Sequence, residues 1–426
     1  MNANPQEAPV VQPAAGESMP PLPRINIHVF CATPETAKTV QTLSADRRMK
    51  RTSMEVYSGG IAAAAQYYAQ VPTPHLLVVE STNPPEVMLN ELAALAQVCA
   101  AETQVVVIGQ VNDIAFYRQL MSMGLGDYLA TPVNMEQLLS SFSRLFQPQA
   151  EKKLGRIVAF MGAKGGCGSS IIAHNVSWLM SEKHSTGTVL ADLDLAFGTA
   201  GLDFNVDPVQ GILDALASKE RLDEVFMDRL LHQCSKHLML LASPGSVDSV
   251  IDIQGETLDL MLDILRGTTP YTVLDMPTTW DGWLQAALVQ ADVLVLVSTP
   301  ELAALRNTKS IVDTLKSIRP NDEPPLLVLN QVGMGDRPEI PASKFTSAVG
   351  LEVAASIPFD AQTFGQAATS GQMITEIAPK AEAAKQIDAL ARRILGLEPE
   401  EEAKSAGSLL KPLLAAFQKK QKQQKK

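Results

Sequence analysis

Short apolar runs alternate with helix-forming segments along most of the chain. Residues 25–147 contain five such runs, from INIHVFC to DYLATP, and seven longer-spaced runs follow from Arg156 onward. Strands that alternate with helices of this length predict βαβ units and parallel sheets. Near-continuous apolar strands in the second part predict a sheet covered by helices on both faces. We therefore predict an α/β protein with two domains.

Composition marks the ends of these domains. Residues 1–24 are rich in Pro and Ala, which predicts a disordered arm. A polar linker over 148–154 separates the first domain, 25–147, from the second, 155–398. Residues 399–426 then change from acidic to Leu-rich and finally to Lys-rich. A chain of 426 residues has room for both domains and these terminal segments.

Charge and cysteine usage exclude several classes of function. A net charge of −11 argues against a nucleic-acid partner, because phosphate contacts need a basic surface. The four cysteines are far apart with no CxxC pair, which argues against disulfides or structural zinc and is typical of a reducing compartment. No run reaches the roughly 18 apolar residues that span a bilayer, and no signal peptide precedes the first strand. We expect a cytoplasmic protein.

The segment GAKGGCGSS, residues 162–170, lies between a predicted strand and a predicted helix. Glycines allow positive φ and a close approach of the backbone to a ligand, while the free N–H groups of a helix start favour an anion. Lys164 lies inside the loop, and hydroxyls follow at Ser169 and Ser170. A tight turn that merely uses glycine is the alternative, but the strand–loop–helix context favours a phosphate-binding loop. His174, in the following helix, is interpreted as a packing residue.

These residues resemble the deviant Walker A loop, KGGxGK[ST], of the MinD/ParA group of P-loop ATPases. The resemblance implies ATP and Mg²⁺ as ligands and an ATP-sandwiched homodimer, in which Lys164 reaches the partner's phosphates. The implied nucleotide-binding residues of the loop are Gly165, Gly166, Cys167, Gly168, Ser169, Ser170 and Ile171. The loop departs from the group at Ser169, where the ordinary P-loop lysine belongs. Loss of that cation is expected to weaken nucleotide binding and, more strongly, hydrolysis.

Two acidic motifs follow in the order that this group has. VLADLDLAFG resembles the A′ motif, which implies that Asp194 orients the attacking water and that Asp192 lies near the metal. Two acidic residues that simply end a strand are the alternative. YTVLDMP resembles the Walker B strand, which implies that Asp275 holds Mg²⁺ through water, together with the hydroxyl of Ser170.

Two landmarks near the end of the second domain complete the resemblance. Asn330, after the strand LLVLN, would contact the edge of adenine, although Asn after a strand is also an ordinary turn residue. Pro358 and Asp360 would lie in the loop that closes over the base. The resemblance covers roughly residues 155–395 and implies a mostly parallel, doubly wound sheet.

Residues 25–147 resemble the receiver domain of response regulators, which is flavodoxin-like. Phosphoryl transfer there needs an acidic pair for Mg²⁺, an acceptor aspartate, a hydroxyl and a lysine. The corresponding residues here are Cys31, Ala32, Glu80, Gly109 and Thr131. Without clustered carboxylates no Mg²⁺ is held and no aspartyl phosphate forms. We predict a pseudo-receiver that serves docking; Glu80 as a permanent negative charge is the alternative.

The Leu-rich tail has an apolar face followed by lysines. Its apolar residues at helical spacing are Leu409, Leu410, Leu413, Leu414 and Phe417. An apolar stripe beside a lysine cluster predicts contact of residues 406–426 with an anionic inner-membrane surface. A solubilising disordered tail and a helix for a protein partner remain open.

A pseudo-receiver joined to a MinD-like domain with an altered P-loop resembles the CpaE/TadZ group of bacterial Flp/Tad pilus assembly proteins. That resemblance implies contact with pilus and secretion assembly proteins and a position at the cell pole. Three functions stay open: a nucleotide-locked dimeric organiser with slow or no turnover, a cycling ATPase that needs a substitute for the missing lysine, and a nucleotide-free scaffold. In the scaffold, Cys167, Gly168 and Ser169 would fill the loop's own anion site. A role in DNA segregation ranks below these.

Overall fold

The computed structural model describes residues 21–146, 154–217, 219–246 and 253–397. These residues form two compact units, one ending at Leu154 and the other starting at Gly155. Both units alternate strands with helices around a wholly or mostly parallel sheet, so the predicted α/β fold class is confirmed. Residues 1–20 of the predicted arm, most of the linker and the tail 399–426 lie outside the described residues.

The first unit contains five strands and five α-helices in strict alternation. Its elements are β1 (Asn26–Cys31), α1 (Pro34–Ser44), β2 (Ser53–Ser58), α2 (Gly60–Tyr68), β3 (Leu76–Glu80), α3 (Pro85–Ala96), β4 (Gln104–Gly109), α4 (Ile114–Ser122), β5 (Asp127–Ala130) and α5 (Met135–Phe146). All strand pairs are parallel, in the order β2-β1-β3-β4-β5.

Strand periodicity explains why this sheet is covered on both faces. Side chains alternate across a strand, so Leu76 and Val78 of β3 enter one core while Leu77 and Val79 enter the other. Leu22, which the sequence places in the predicted arm, is buried in the first of these cores, and its N–H donates to the carbonyl oxygen of Arg48 at 2.9 Å. The end of the predicted arm is therefore part of the hydrophobic core of the first unit.

The second unit is built on an eight-stranded sheet. Its elements are β6 (Arg156–Gly162), α6 (Ser169–Trp178), β7 (Thr188–Asp192), α7 (Ala200–Asp203), α8 (Ile212–Ala217), α9 (Glu224–Leu230), β8 (His232–Gln233), β9 (Leu238–Leu241), α10 (Gly255–Thr268), β10 (Tyr271–Asp275), α11 (Gly282–Gln290), β11 (Val293–Ser298), α12 (Leu302–Ile318), β12 (Leu326–Val332), α13 (Ala342–Val349), β13 (Val353–Pro358), α14 (Ala361–Ser370), α15 (Ile374–Ile377) and α16 (Glu382–Leu395). The order is β13-β12-β11-β6-β10-β7-β9-β8, and β8 alone pairs antiparallel.

The order of these strands brings distant motifs to one edge of the sheet. β6 lies between β11 and β10, and β7 follows β10 on the far side. In the register of these parallel strands, Asp275 is paired with Asp192 on one neighbour and with Phe160 on the other. Since the carboxyl ends of parallel strands share one edge, the glycine-rich loop after β6 and both aspartates lie there together.

Within the described ranges, no helix combines the length and the apolar character that a membrane span requires.

Candidate functional site

The loop between β6 and α6 adopts a conformation that only glycines allow readily. Gly166 and Gly168 have φ of 76° and 85°, in the left-handed region. A Cβ on Gly165 or Gly166 would meet no atom within 4 Å, whereas one on Gly168 would lie 2.4 Å from Nδ2 of Asn330. The loop is therefore open to solvent at Gly165 and Gly166 and packs closely against Asn330 at Gly168.

The thiol of Cys167 lies beneath the loop. Cys167 is only 1% exposed and belongs to the apolar core under α6. Burial raises the pKa of this thiol, and the backbone N–H groups of Lys164 and Ser169 lower it by less. A Cβ on Gly162 would approach the Cys167 sulfur to 2.6 Å, which explains glycine at the end of β6. Any contact of Cys167 with a nucleotide would use its backbone.

Side chains from β12 and α12 hold the loop by its carbonyl oxygens. Asn330 donates from Nδ2 to the carbonyl of Cys167 at 2.8 Å, and Gln331 donates from Nε2 to that of Gly166 at 2.9 Å. On the other side, Asn307 donates from Nδ2 to the carbonyl of Ala163 at 3.0 Å. The predicted adenine contact, Asn330, thus uses one donor to fix the loop.

Lys164 pairs with an acidic residue of its own chain. Its Nζ lies 2.5 Å from Oε1 of Glu301, the residue that precedes α12. The two side chains are 35% and 26% exposed, so the pair is partly solvated and is worth at most about 1 kcal/mol. Such a pair is readily broken when a better anion approaches the lysine.

A cleft of about 470 Å³ opens beside this lysine. It lies between the loop and α12, and Lys164, Gly165, Trp280, Asn307 and Thr314 are among its lining residues. Thr278 and Thr279 contribute hydroxyls from the segment after β10.

Two residues of the predicted site have a buried polar atom without a partner in the described structure. Among the described residues, neither Oδ1 of Asp275 nor Oγ of Ser169 makes a hydrogen bond, although Asp275 is 1% and Ser169 8% exposed. Buried polar atoms are nearly always hydrogen-bonded, so two orphans beside an open loop indicate a place for a ligand. The described residues contain no cluster of three His, Cys, Asp or Glu that could hold a metal, so Mg²⁺ here would depend on water and phosphate oxygens for most of its ligands.

Asp192 and Asp194 organise the segment that follows β7. Asp192 is fully buried; its Oδ1 accepts from the N–H of Asp194, and its Oδ2 accepts from the N–H of Ala200 and the hydroxyl of Ser243. Burial, and next the charge of Asp275, raise the pKa of Asp192 to about 6. Asp194 accepts from the N–H of Phe197 at 3.1 Å. Asp192 therefore fixes the segment that follows β7 at the end of that strand.

His174 of α6 is buried between two carboxylates. It is 0% exposed, with Nδ1 2.7 Å from Oδ2 of Asp203 and Nε2 3.2 Å from Oδ2 of Asp275. Burial lowers the pKa of His174, but the hydrogen bonds with Asp203 and Asp275 outweigh it and raise the pKa to about 10. His174 is buried, as a packing residue would be, and both of its ring nitrogens also face carboxylates.

The two remaining predicted residues lie at the end of β13. Pro358 is the last residue of that strand, and Asp360 is the N-cap of α14, where its Oδ1 accepts from the N–H of Thr363 at 2.9 Å. These hydrogen bonds with Thr363 lower the pKa of Asp360.

In the first unit, Glu80 lies at the carboxyl end of β3 and is 2% exposed. Its Oε2 accepts from the N–H groups of Ala32 and Thr33, and its Oε1 from the hydroxyls of Thr33 and Thr36, all at 2.7–2.8 Å. Burial, and next Glu80, raise the pKa of the Cys31 thiol to about 11. The carboxylate is saturated by the start of α1.

Comparison with known proteins finds similarity to two groups of proteins. No family model matches the chain. The septum site-determining protein MinD of Helicobacter pylori is 25% identical over 257 residues, which cover 57% of this chain and 92% of that protein. The structure of a ParA family ATPase from Chlorobium tepidum TLS is 25% identical, covers 55% of this chain and 98% of its own, and has a TM-score of 0.51.

A second relationship rests on sequence identity. A pilus assembly protein CpaE from Caulobacter crescentus CB15 is 46% identical, covering 30% of this chain and 97% of its own, with a TM-score of 0.29. The resemblance stated from the motifs is confirmed: the chain is similar both to CpaE pilus assembly proteins and to MinD/ParA ATPases.

Proposed function

We propose that this protein is a pilus assembly and positioning factor that acts as an ATP-bound dimer with little or no ATP turnover. Its similarity to CpaE supports the pilus context, and its similarity to MinD and ParA supports a nucleotide-dependent positioning role. The first unit provides the docking surface, and the dimer acts at the cytoplasmic side of the inner membrane, at the cell pole. Residues 406–426 would supply the membrane contact.

The open loop with its two orphaned polar atoms carries the nucleotide part of the proposal. Backbone N–H groups from Gly165 to Ile171 would bind the phosphates, as the start of α6 favours an anion. The Ser170 hydroxyl and, through water, Asp275 would hold Mg²⁺, whose charge neutralises the phosphate oxygens when it is bound. Oδ1 of Asp275 is free to accept from such a water. Asn330, Pro358 and Asp360 would form the base site.

The residue at position 169 sets the expectation of slow hydrolysis. A serine offers one neutral hydrogen bond where a lysine would offer a charge-assisted one of about twice the strength. Charge that develops on the transferred phosphoryl group is then less stabilised. Asp194 could still orient a water, so the proposal is slow turnover rather than a changed reaction.

Exposed apolar side chains around the loop support a second copy as the partner. Phe197, Trp280, Leu302 and Phe359 are 73%, 39%, 73% and 41% exposed. They follow β7, β10, β11 and β13, so all four lie at the edge of the sheet that carries the loop. A homodimer through this face would bury them and bring Lys164 to the partner's phosphates.

The test of this proposal is the mass of the protein in solution by light scattering, with ATP and Mg²⁺, with ADP, and without nucleotide. We expect a dimer with ATP and a monomer otherwise. Lys164→Ala should abolish the ATP-dependent dimer, whereas Lys309→Ala, which removes a lysine of α12 whose partner is Asp313, should leave it unchanged. Equal dimerisation by wild type and Lys164→Ala would contradict the proposed role of the lysine.

A further inference from the structure

β2 is an edge strand of the first sheet and the most exposed strand in it. In the order β2-β1-β3-β4-β5, no described strand pairs with its outer side. Ser53, Glu55, Val56 and Ser58 are exposed, and the apolar Val56 keeps 40% of its surface in solvent. β5, at the opposite edge, is shorter, has no exposed residue and is followed closely by Pro132. A long, exposed edge is a template for pairing with another strand.

The sequence of β2 lacks the devices that usually protect an edge. Lysine, proline or a bulge commonly prevents pairing there. β2 reads SMEVYS, without lysine or proline, and its register with β1 is continuous over all six residues. Its one charged residue, Glu55, accepts a hydrogen bond from the hydroxyl of Tyr57 in the same strand. The outer side of β2 is therefore open to a further strand.

The backbone groups of β2 face β1 and the open side in turn. The N–H groups of Ser53 and Gly59 donate to carbonyls just before and at the end of β1, at 3.0 and 2.9 Å. Successive residues of a strand direct their N–H and carbonyl groups to opposite sides. The groups of Met54, Val56 and Ser58 therefore point away from β1, where no described strand receives them.

A second copy of the chain is the partner that this pattern fits. Two copies of one edge strand that are related by a two-fold axis run antiparallel. With the axis at Val56, Val56 faces itself and Met54 faces Ser58 of the second copy, so all three outward-facing residues exchange hydrogen bonds. A slip of one residue would set these groups against groups that already bond β1. β2 is thus self-complementary in one register.

The side chains match in that register as well. Glu55 lies opposite Tyr57 of the second copy, so the two glutamates do not face each other directly. The ring of Tyr67, which is 37% exposed, lies 5.1 Å from that of Tyr57 and widens the apolar surface on this face. On the other face, the exposed Val56 of each copy would be covered by that of its partner.

We propose that the first units of two copies pair through their β2 strands into one continuous sheet. Two six-residue strands bury well under the roughly 1,000 Å² of a stable interface, so we expect a weak contact with a dissociation constant on the order of 0.1 mM. This contact goes beyond the proposed function and needs no nucleotide.

The β2 contact has a consequence that rests on the proposed function. An ATP-bound dimer carries two β2 edges, and each copy then has two different two-fold interfaces. Such dimers can link into open chains, and linkage at both ends strengthens a contact that is weak by itself. This would let an assembly factor accumulate at one place.

Cysteine cross-linking of the full chain without nucleotide tests the register. Val56→Cys places a thiol at the proposed axis, where the paired Cα atoms would lie about 5.5 Å apart, within reach of a disulfide. Val87→Cys is the matched control, because Val87 of α3 is 44% exposed and lies outside the proposed interface. We expect Val56→Cys to form a covalent dimer at least about tenfold faster under mild oxidation. The wild type, with its four free cysteines, provides the baseline.

Sedimentation equilibrium without nucleotide measures the affinity of the contact. Val56→Lys sets two like charges face to face at the axis, and we expect the dissociation constant to rise at least about tenfold. Val87→Lys adds the same charge to α3 and should leave the constant unchanged. With ATP and Mg²⁺ at high protein concentration, the wild type should form particles larger than a dimer, whereas Val56→Lys should stop at the dimer.

The outcomes separate this inference from the proposed function. Equal cross-linking of Val56→Cys and Val87→Cys would overturn the β2 contact, and a part of the same chain covering β2 would give that result; an ATP-dependent dimer would still support the proposed function. Selective cross-linking at Val56 in a protein that does not bind ATP would support the β2 contact and contradict the proposed function.

Discussion

The two units bury carboxylates at the same topological position and use them in opposite ways. Glu80, at the end of β3, accepts four hydrogen bonds from residues 32–36. Asp275, at the end of β10, faces His174 with one oxygen, and its other oxygen has no partner in the described part of the chain. A saturated carboxylate contributes to folding, whereas an orphaned one carries a desolvation cost that a ligand can relieve.

The starts of the two helices show the same contrast. α1 has Thr33 as its N-cap, whose hydroxyl accepts from the N–H of Thr36, and Glu80 binds the residues around it. α6 has Gly168 as its N-cap, with no side-chain cap hydrogen bond. An uncapped helix start leaves its N–H groups for an external anion. In both units a loop leads from a strand into a helix. The loop is a candidate anion site only before α6, where no side chain caps the start of the helix.

Of the substitutions that test this contrast, Glu80→Ala should have the largest effect, a loss of stability of the first unit. Removal of the carboxylate leaves four donors without their acceptor, and we expect the first unit to lose about 3 kcal/mol or more of unfolding free energy. All three tryptophans, Trp178, Trp280 and Trp283, belong to the second unit. Urea unfolding followed by tryptophan fluorescence should therefore be unchanged, while hydrogen exchange of the β1 and β3 amides should accelerate.

Glu35→Ala is the matched control for that variant. Glu35 is an exposed glutamate in the first turn of α1, and its removal should change stability by less than about 0.5 kcal/mol. Unchanged hydrogen exchange in Glu80→Ala would show that the carboxylate is dispensable for the fold, and a signalling role for its charge would then regain support.

Ser169→Lys tests the loop of the second unit through its affinity for ATP. The lysine would add a charge-assisted hydrogen bond to the phosphates, and we expect ATP binding to tighten by about 1.5–3 kcal/mol. Calorimetry with ATP and Mg²⁺ measures this directly. Ser170 belongs to the proposed Mg²⁺ site, so Ser170→Lys is no control; Ser310→Lys, on the α12 side of the cleft, adds the same charge at a distance from the loop. Equal gains from both lysines would indicate only long-range attraction.

Two glycine variants separate the closed side of the loop from its open side. Gly168→Ala should cost about 1–2 kcal/mol for its positive φ and also push against Asn330, so the melting temperature should fall. Gly165→Ala meets no atom within 4 Å and should keep the melting temperature. It should nevertheless weaken ATP binding, because the proposed phosphates fill that open space. Unaffected binding in Gly165→Ala would mean that the ligand side has been assigned wrongly.

Glu301→Gln should have the smallest effect. It releases Lys164 from a partly exposed ion pair, so we expect the ATP-dependent dimer to become tighter by about 0.2–1 kcal/mol. Analytical ultracentrifugation over a concentration series measures the dimer constant. Asp313→Asn breaks the Lys309–Asp313 pair of the same helix and should not change it. A weaker dimer in Glu301→Gln would indicate that the glutamate itself contacts the second copy.

Strongly patterned segments were predictable from the sequence to the residue. The apolar run QVVVIG predicts a strand over 104–109, and helical spacing predicts a helix over 302–318; β4 (Gln104–Gly109) and α12 (Leu302–Ile318) have these bounds. Helical spacing predicts a helix over 88–100, whereas α3 runs over Pro85–Ala96, since Pro85 suits the first turn of a helix. β8 has only two residues, too few for any period, and was not predicted.

The candidate site, too, was predictable from the sequence only in part. The loop was identifiable because its residues are consecutive, and the acidic motifs because each ends an apolar strand. The contacts that give the loop its chemistry are distant in sequence: Asn330 is 163 residues from Cys167, and His174 is 101 residues from Asp275. They depend on the strand order β12-β11-β6-β10, which local periodicity does not determine.

ATP binding by the purified wild type, measured by calorimetry with Mg²⁺ while light scattering reports mass and phosphate release reports turnover, tests the central claim most directly. The account predicts saturable binding, a shift from monomer to dimer and little phosphate release. Absence of binding at millimolar ATP would contradict it and leave a scaffold whose loop no longer holds nucleotide.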